Sequence, residues 1–281
     1  MSSAVDILIP TCNRPYALAM TLTSLASQTV QNMRIHVSDQ SDHEDALERP
    51  EVLAVRRWLN ATGHEIHTYR HLPRLGMAEQ RAFLLSKVSA PYCLFLDDDV
   101  LLENDLVGRL LQAITEQKCG FVGSALHGLS YADHARPDQQ HIEFWEAGVE
   151  PELVSPESPA WARHCLHNAA NLFHVQQKFG FTRDNMRYYR VAWIGGCVLF
   201  DTAKLREAGG FDFWEELPPQ HCGEDVLAQL RVMARFGGCG IIPSGAYHME
   251  LPTTVQERPI DAPHVLWQRA QPQHEGWNQH A

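Results

Sequence analysis

Apolar positions in the first 125 residues fall into two alternating patterns. Short continuous runs at residues 5–10, 33–38, 65–69, 92–96 and 120–124 read as strands. Between them lie stretches whose apolar residues recur every three to four positions. Residues 15–27 place Leu18, Leu22 and Leu25 on one helical face, and Pro15 suits a first helical turn. Helices are also predicted near 50–60, over 77–88 (apolar face Ala78, Phe83, Leu84, Val88) and over 106–116, with Asn104 or Asp105 as cap. Strand–helix alternation of this kind predicts an α/β fold, a mostly parallel sheet with helices on both faces. The pattern breaks over 127–190, which is rich in His, Pro and aromatics. It returns over 191–200, then a Gly209-Gly210-Phe211-Asp212 turn, a helix over 224–236 and short strands at 241–243 and 246–248. From Pro252 onward the composition predicts a surface meander.

Composition narrows the function. The chain has 281 residues, 44% hydrophobic and 20% charged, with 34 acids against 23 Lys and Arg and a net charge of −11. Nucleic acid is a poor partner for such a balance, because phosphate backbones demand basic patches. No apolar run reaches the ~20 residues of a membrane span, and the first residues lack a basic, signal-like region. The expectation is a cytoplasmic protein, with peripheral membrane contact left open. The seven cysteines are odd in number and form no CxxC pair, so they read as reduced thiols rather than a disulfide framework. His164, Cys165 and His167 are close in sequence but fit no zinc spacing and read as loop residues.

The strongest chemical signal is at the end of the fourth strand. Tyr92-Cys93-Leu94-Phe95-Leu96 runs directly into Asp97, Asp98 and Asp99. Parallel α/β sheets bind ligands beyond the carboxyl ends of their strands, so these carboxylates are expected in a site. Three adjacent carboxylates repel one another, and a divalent cation relieves that repulsion. Mg²⁺ and Mn²⁺ take oxygen ligands and often bridge one or two carboxylates to substrate phosphates. The plain alternative is an acidic loop at a strand end.

Four features occur in order: Ile9-Pro10-Thr11-Cys12-Asn13-Arg14 after the first strand, Asp39 after the second, Asp97-Asp98-Asp99 after the fourth, and Gly223-Glu224-Asp225 opening a late helix. This ordered set resembles the family-2 glycosyltransferases of GT-A fold, over about residues 4 to 250. The resemblance implies a GT-A, Rossmann-like sheet with a smaller acceptor-side subregion. It implies one domain over 1–250, with a nucleotide-binding half (1–125), an acceptor-side half (126–250) and an extension (251–281). It further implies a metal-dependent, inverting transfer of a sugar from a nucleotide-sugar, UDP-linked, to a hydroxyl of a carbohydrate or glycoconjugate.

Residue roles follow from the same resemblance. Pro10, Thr11, Asn13, Arg14, Gly76, Arg81, Asp97 and Asp98 are expected at the donor, and Asp39 at the uracil ring, where a carboxylate is a suitable acceptor for the ring N–H. The family's Asp-Asp-Gly-Ser is replaced here by Asp39-Gln40-Ser41-Asp42, and the Asn that usually follows Arg81 by Ala82. Asp99 and His248 are the implied ligands of Mn²⁺ or Mg²⁺. Asp225 is the implied catalytic base, with Glu224, Trp193, Gly195 and Gly196 on the acceptor side. Each has a plainer reading: acids favoured by a helix dipole for Glu224 and Asp225, core packing for Trp193, a structural imidazole for His248. Residues 127–190 are expected to shape the acceptor site. Two competing readings are a nucleotidyltransferase of similar sheet, which would want a Gly-rich, basic loop after the first strand, and a non-catalytic nucleotide-sugar-binding relic.

Overall fold

Continuous apolar runs in the central strands give each of them two buried faces, and helices cover both. The computed structural model describes residues 3–42, 45–254 and 257–270. In chain order the elements are β1 (Val5–Thr11), α1 (Pro15–Ala26), β2 (Arg34–Asp39), α2 (Pro50–Ala61), β3 (Glu65–Arg70), α3 (Met77–Lys87), β4 (Tyr92–Leu96), β5 (Val100–Leu102), α4 (Leu106–Gln117) and β6 (Phe121–Gly123). There follow α5 (Asn171–Phe179), β7 (Arg187–Tyr189), β8 (Cys197–Asp201), α6 (Thr202–Glu207), β9 (His221–Cys222), α7 (Glu224–Phe236), β10 (Gly238–Ile242), β11 (Ala246–His248), β12 (Ile260–Asp261) and α8 (Ala262–Ala270).

The main sheet has the order β3-β2-β1-β4-β8-β6-β10-β7. β8 runs antiparallel to both β4 and β6, and β7 antiparallel to β10; the other pairings are parallel. Along β1, Ile7 and Ile9 pack with Leu18, Leu22 and Leu25 of α1 and with Leu106 and Leu110 of α4. Leu8 faces the other way, into a core with Leu84 of α3, Phe95, Phe200, and Leu227 and Leu230 of α7. Each such fully buried aliphatic side chain contributes roughly 1.5–3 kcal/mol. From β1 the chain passes first to β2 and β3 on one side and then back to β4 on the other. A crevice is thereby left at the carboxyl ends of β1 and β4, where ligands of open α/β sheets bind.

The structure departs from the sequence reading in four places. Residues 191–196 are loop, and the strand starts only at Cys197. Gln229 of α7 explains this: its side chain takes the Ile194 N–H at 2.9 Å and donates to the Ile194 carbonyl at 2.8 Å, supplying the bonds a ladder would have given. The short β5 was not expected; it pairs antiparallel with β11. Asp105 precedes α4 but makes no cap bond, because its carboxylate is held by Arg109 and Arg183. The segment read as a surface meander is corrected for residues 260–267. Parallel pairing of β12 with β9 and burial of Ala262, Leu266 and Trp267 beside α7 dock it on the second core. All seven cysteines are free, and Cys12, Cys93, Cys119, Cys197 and Cys239 are buried.

Candidate active site

The crevice is a solvent-open cleft of about 1180 Å³. Pro10, Thr11 and Arg14 line it from the end of β1, Gly76 and Arg81 from α3, Asp97, Asp98 and Asp99 from the end of β4, Glu224 and Asp225 from α7, and His248 from β11. Residues 143 positions apart in sequence thus share one wall.

Two arginines organise the acids. Arg14 donates to Asp99 Oδ2 at 2.7 Å and to Asp98 Oδ1 at 3.3 Å, and also to the carbonyl of Pro252. Arg81 is buried and bridges two elements: Nε donates to Glu224 Oε1 at 3.0 Å and Nη2 to Asp97 Oδ1 at 3.2 Å. Burial opposes its charge, but Asp97, Glu224 and Asp225 together outweigh that and hold Arg81 above its ordinary pKa. Asp98 turns inward. Its Oδ2 accepts from Thr11 Oγ1 at 2.6 Å and its backbone carbonyl from Thr21 Oγ1 at 2.8 Å. Burial pushes its carboxyl up to about 7, against the pull of Thr11 and Arg14. Asp99 is likewise raised by burial, with His248 and Arg14 opposing.

Asp225 opens α7 behind Gly223, whose φ of +74° makes the sharp entry. A Cβ at Gly223 would meet Asp261 Oδ1 at 2.5 Å, so the β12 segment also fixes this turn. Asp225 is half-buried. Loss of water raises its carboxyl to about 7, with Glu224 adding to the rise and Arg81 opposing it. A carboxyl with that pKa is well matched to general-base work near neutral pH.

The chain does fold back to bring His248 beside Asp99, with Nε2 at 3.5 Å from Oδ2. Its Nδ1 accepts the Glu250 N–H at 3.1 Å, which leaves Nε2 as the ring nitrogen turned toward the Asp99 side of the cleft. Asp39 does not line the cleft, although its neighbour Gln40 does. Asp39 is fully buried, and both oxygens are taken, by Ser41 N–H and Oγ–H, Ala46 N–H and Arg70. Asn13 is exposed, has φ +58°, and ties the β1 loop to Ser41 and Asp42 instead of lining the cleft.

A divalent cation needs carboxylate oxygens that are not already committed. Among the described residues no three metal-ligating side chains converge. Asp99 Oδ1 accepts no hydrogen bond from the described residues, whereas Oδ2 accepts from Arg14 and lies 3.5 Å from His248 Nε2. One or two carboxylate oxygens suit Mg²⁺ or Mn²⁺ that fills its remaining positions from substrate phosphate and water. The residues fit a bridging cation and not an all-protein cage.

Two residues of the site were missed in the sequence. His221 lines the cleft, accepts the Ala78 N–H of α3 at 3.1 Å on Nε2 and donates from Nδ1 to the Pro218 carbonyl at 2.6 Å. Gln80 donates to the Ser38 carbonyl at 2.7 Å, joining α3 to β2. Neither carries a local signal, since each acts through a partner distant in sequence.

A second cavity of about 1060 Å³ adjoins the first, and Asp97, His248 and Leu251 line both. Trp193, Gly195 and Gly196 lie on its wall, as do Tyr131, His164 and His167 from the stretch 127–190. That stretch therefore shapes a cavity beside the carboxylates.

A model of the family described as glycosyl transferase family 2 matches residues 6–181. The crystal structure of residues 1–349 of S. aureus TarS in complex with UDP-GlcNAc matches with a TM-score of 0.53 at 12% identity, over 89% of this chain and 60% of that chain. Another crystal structure of S. aureus TarS matches with a TM-score of 0.50 at 16% identity, over 84% of this chain and 34% of that one. At such identities the likeness is one of fold, a mixed α/β sheet of GT-A type, and this chain spans less than two thirds of either structure's length. No curated protein matches the chain.

Proposed function

Because the chain belongs to glycosyl transferase family 2, we propose that it moves a sugar from a nucleotide-sugar to an acceptor hydroxyl, with inversion and with a divalent cation at the donor phosphates. The observation that carries this reading is the convergence of Asp97 and Asp99 from β4 with Asp225 from α7 on one cleft, beside Arg14 and Arg81. The donor diphosphate lies between the end of β1 and Asp99, within reach of Arg14. Asp99, with Asp97, would hold the cation, which when bound offsets the charge growing on the leaving diphosphate. Arg14, already counter-charge to Asp98 and Asp99, turns to phosphate oxygens, a geometry guanidinium suits. Arg81 keeps Asp97 and Glu224 fixed so that β4 and α7 hold their spacing.

Asp225 accepts the acceptor hydroxyl's proton as its oxygen attacks the anomeric carbon. One base and one displacement invert that carbon, and the departing diphosphate leaves on the opposite side. The resemblance read from the sequence makes a UDP-linked sugar the first donor to test. Asp39 is not the reader of its base in this arrangement, since its carboxylate is committed to Ser41, Ala46 and Arg70. Proton NMR of the product formed from a UDP-sugar with Mn²⁺ should show the anomeric configuration opposite to the donor's. Retention of configuration would sink the single-base reading.

A further inference from the structure

The second cavity carries a charge signature that bears on the acceptor. Asp97 and Glu250 are its two carboxylates, and neither Lys nor Arg lines it. Three imidazoles do, His164, His167 and His248. His167 is buried in the protein and pushed down to about 4 by loss of water, so it is neutral at pH 7. His248 sits at the edge shared with the first cleft, its Nε2 3.5 Å from Asp99 Oδ2. Arg136, which sits 5.6 Å from the Tyr131 ring centre, is not part of the wall. Glu250 is held in place at φ +56°, its two oxygens accepting the Ser130 N–H at 3.1 Å and Oγ–H at 2.6 Å.

The same wall offers a flat apolar surface. The indole of Trp193 is half-buried and stacks on His164 with ring centres 6.0 Å apart and planes 9° apart. Gly195 beside it has no side chain to cover the indole; a Cβ there would touch Trp193 Cζ3 at 3.6 Å. Tyr131, 41% exposed, stands on the same cavity. Electron-rich ring faces attract the polarised C–H bonds of a pyranose, and a carboxylate rim accepts its hydroxyls. A phosphate, sulfate or uronate seated there would instead meet Glu250, whose oxygens are held by Ser130, with no Lys or Arg on the cavity wall to offset it.

From this we infer that the acceptor is an uncharged saccharide, seated on Trp193 with hydroxyls toward Glu250. The inference rests on the glycosyl-transfer reading and adds the acceptor's class. It excludes phosphodiester polymers and acidic glycans as acceptors at this cavity.

The test is an array of neutral, phosphorylated, sulfated and uronic-acid oligosaccharides, probed with the full chain in the presence of UDP and Mn²⁺. Binding confined to neutral glycans is the expected result. Trp193→Ala should weaken that binding about ten-fold, as loss of an aromatic anchor does, while Trp193→Phe restores most of it. Glu250→Gln should admit phosphorylated glycans that the wild type rejects. Thermal melts of each variant separate misfolding from lost contact. Binding only to charged glycans, no glycan binding at all, or unchanged binding by a folded Trp193→Ala variant would overturn the inference. Hydrolysis of a UDP-sugar by the wild type, run alongside, separates the two claims: its presence with charged-only binding defeats the inference alone, and its absence defeats the transfer reading.

Discussion

Asp225 shows how a residue's neighbours decide its use. In water an Asp carboxyl titrates near ~3.9; here burial lifts it to about 7, and Arg81 keeps it from rising further. The base must be ionised to accept a proton, so turnover should climb as pH rises through about 7 and fall below it, measured as kcat against pH. Asp225→Asn keeps shape and loses the base, and should cut kcat about 10²–10⁴-fold while donor affinity stays near wild type. Arg81→Gln removes the charge that opposes the rise, so the midpoint of the pH profile should move to higher pH. The same change strands buried Glu224 and should cost ~3–5 kcal/mol in urea unfolding. A profile that stays in place would separate Arg81 from Asp225. Most of these residues were legible in the sequence because each ends a recognisable strand or opens a recognisable helix. Their partners were not. Arg14 meets Asp99 across 85 positions and Ala78 meets His221 across 143, and no local pattern encodes such pairs. The family resemblance placed Asp39 at the base, yet its oxygens are spent inside the protein, where only coordinates reveal it.

At the scale of elements, α3 is seated by one glycine. Gly76 caps it at φ +106°, and a Cβ there would lie 2.7 Å from His221 Cε1 and 2.9 Å from the Pro219 carbonyl. Gly76→Ala should destabilise the protein by ~1–3 kcal/mol for the backbone conformation alone, read as a lower urea midpoint, with donor affinity falling because Arg81 rides on the same helix. An unchanged midpoint would show that the loop before α3 can relax at no cost. The alternating first half was readable because short apolar runs and period-3.6 patterns are local properties of the chain. Where the reading failed, a tertiary contact replaced a local one. Residues 191–196 have the apolar content of a strand, but the Gln229 amide satisfies their backbone and frees them to bend around Trp193. Residues 260–267 look like a polar tail until Leu266 and Trp267 are seen buried beside α7.

The whole molecule is acidic, and that sets the terms on which it meets a diphosphate. The net charge is −11, and five of the acids, Asp97, Asp98, Asp99, Glu224 and Asp225, line the cleft, against Arg14, Arg74, Arg81 and Arg258. Arg14 and Arg81 are already engaged with those acids. A diphosphate entering alone therefore meets acids whose nearest countercharges are already engaged, in a partly desolvated cleft where interactions are stronger than in bulk water. A divalent cation between Asp99 and the phosphates offsets that repulsion. Calorimetry measures the consequence. UDP should bind at least about 10²-fold more tightly with Mn²⁺ than with EDTA, the scale of a cation worth several kcal/mol at phosphate. Asp99→Ala in Mn²⁺ should match wild type in EDTA. Added salt should act oppositely in the two conditions, since screening weakens attraction to the bound cation and relieves repulsion by the bare cleft. Equal affinity with Mn²⁺ and with EDTA would remove the cation from the donor site and leave Arg14 as the group that receives the diphosphate.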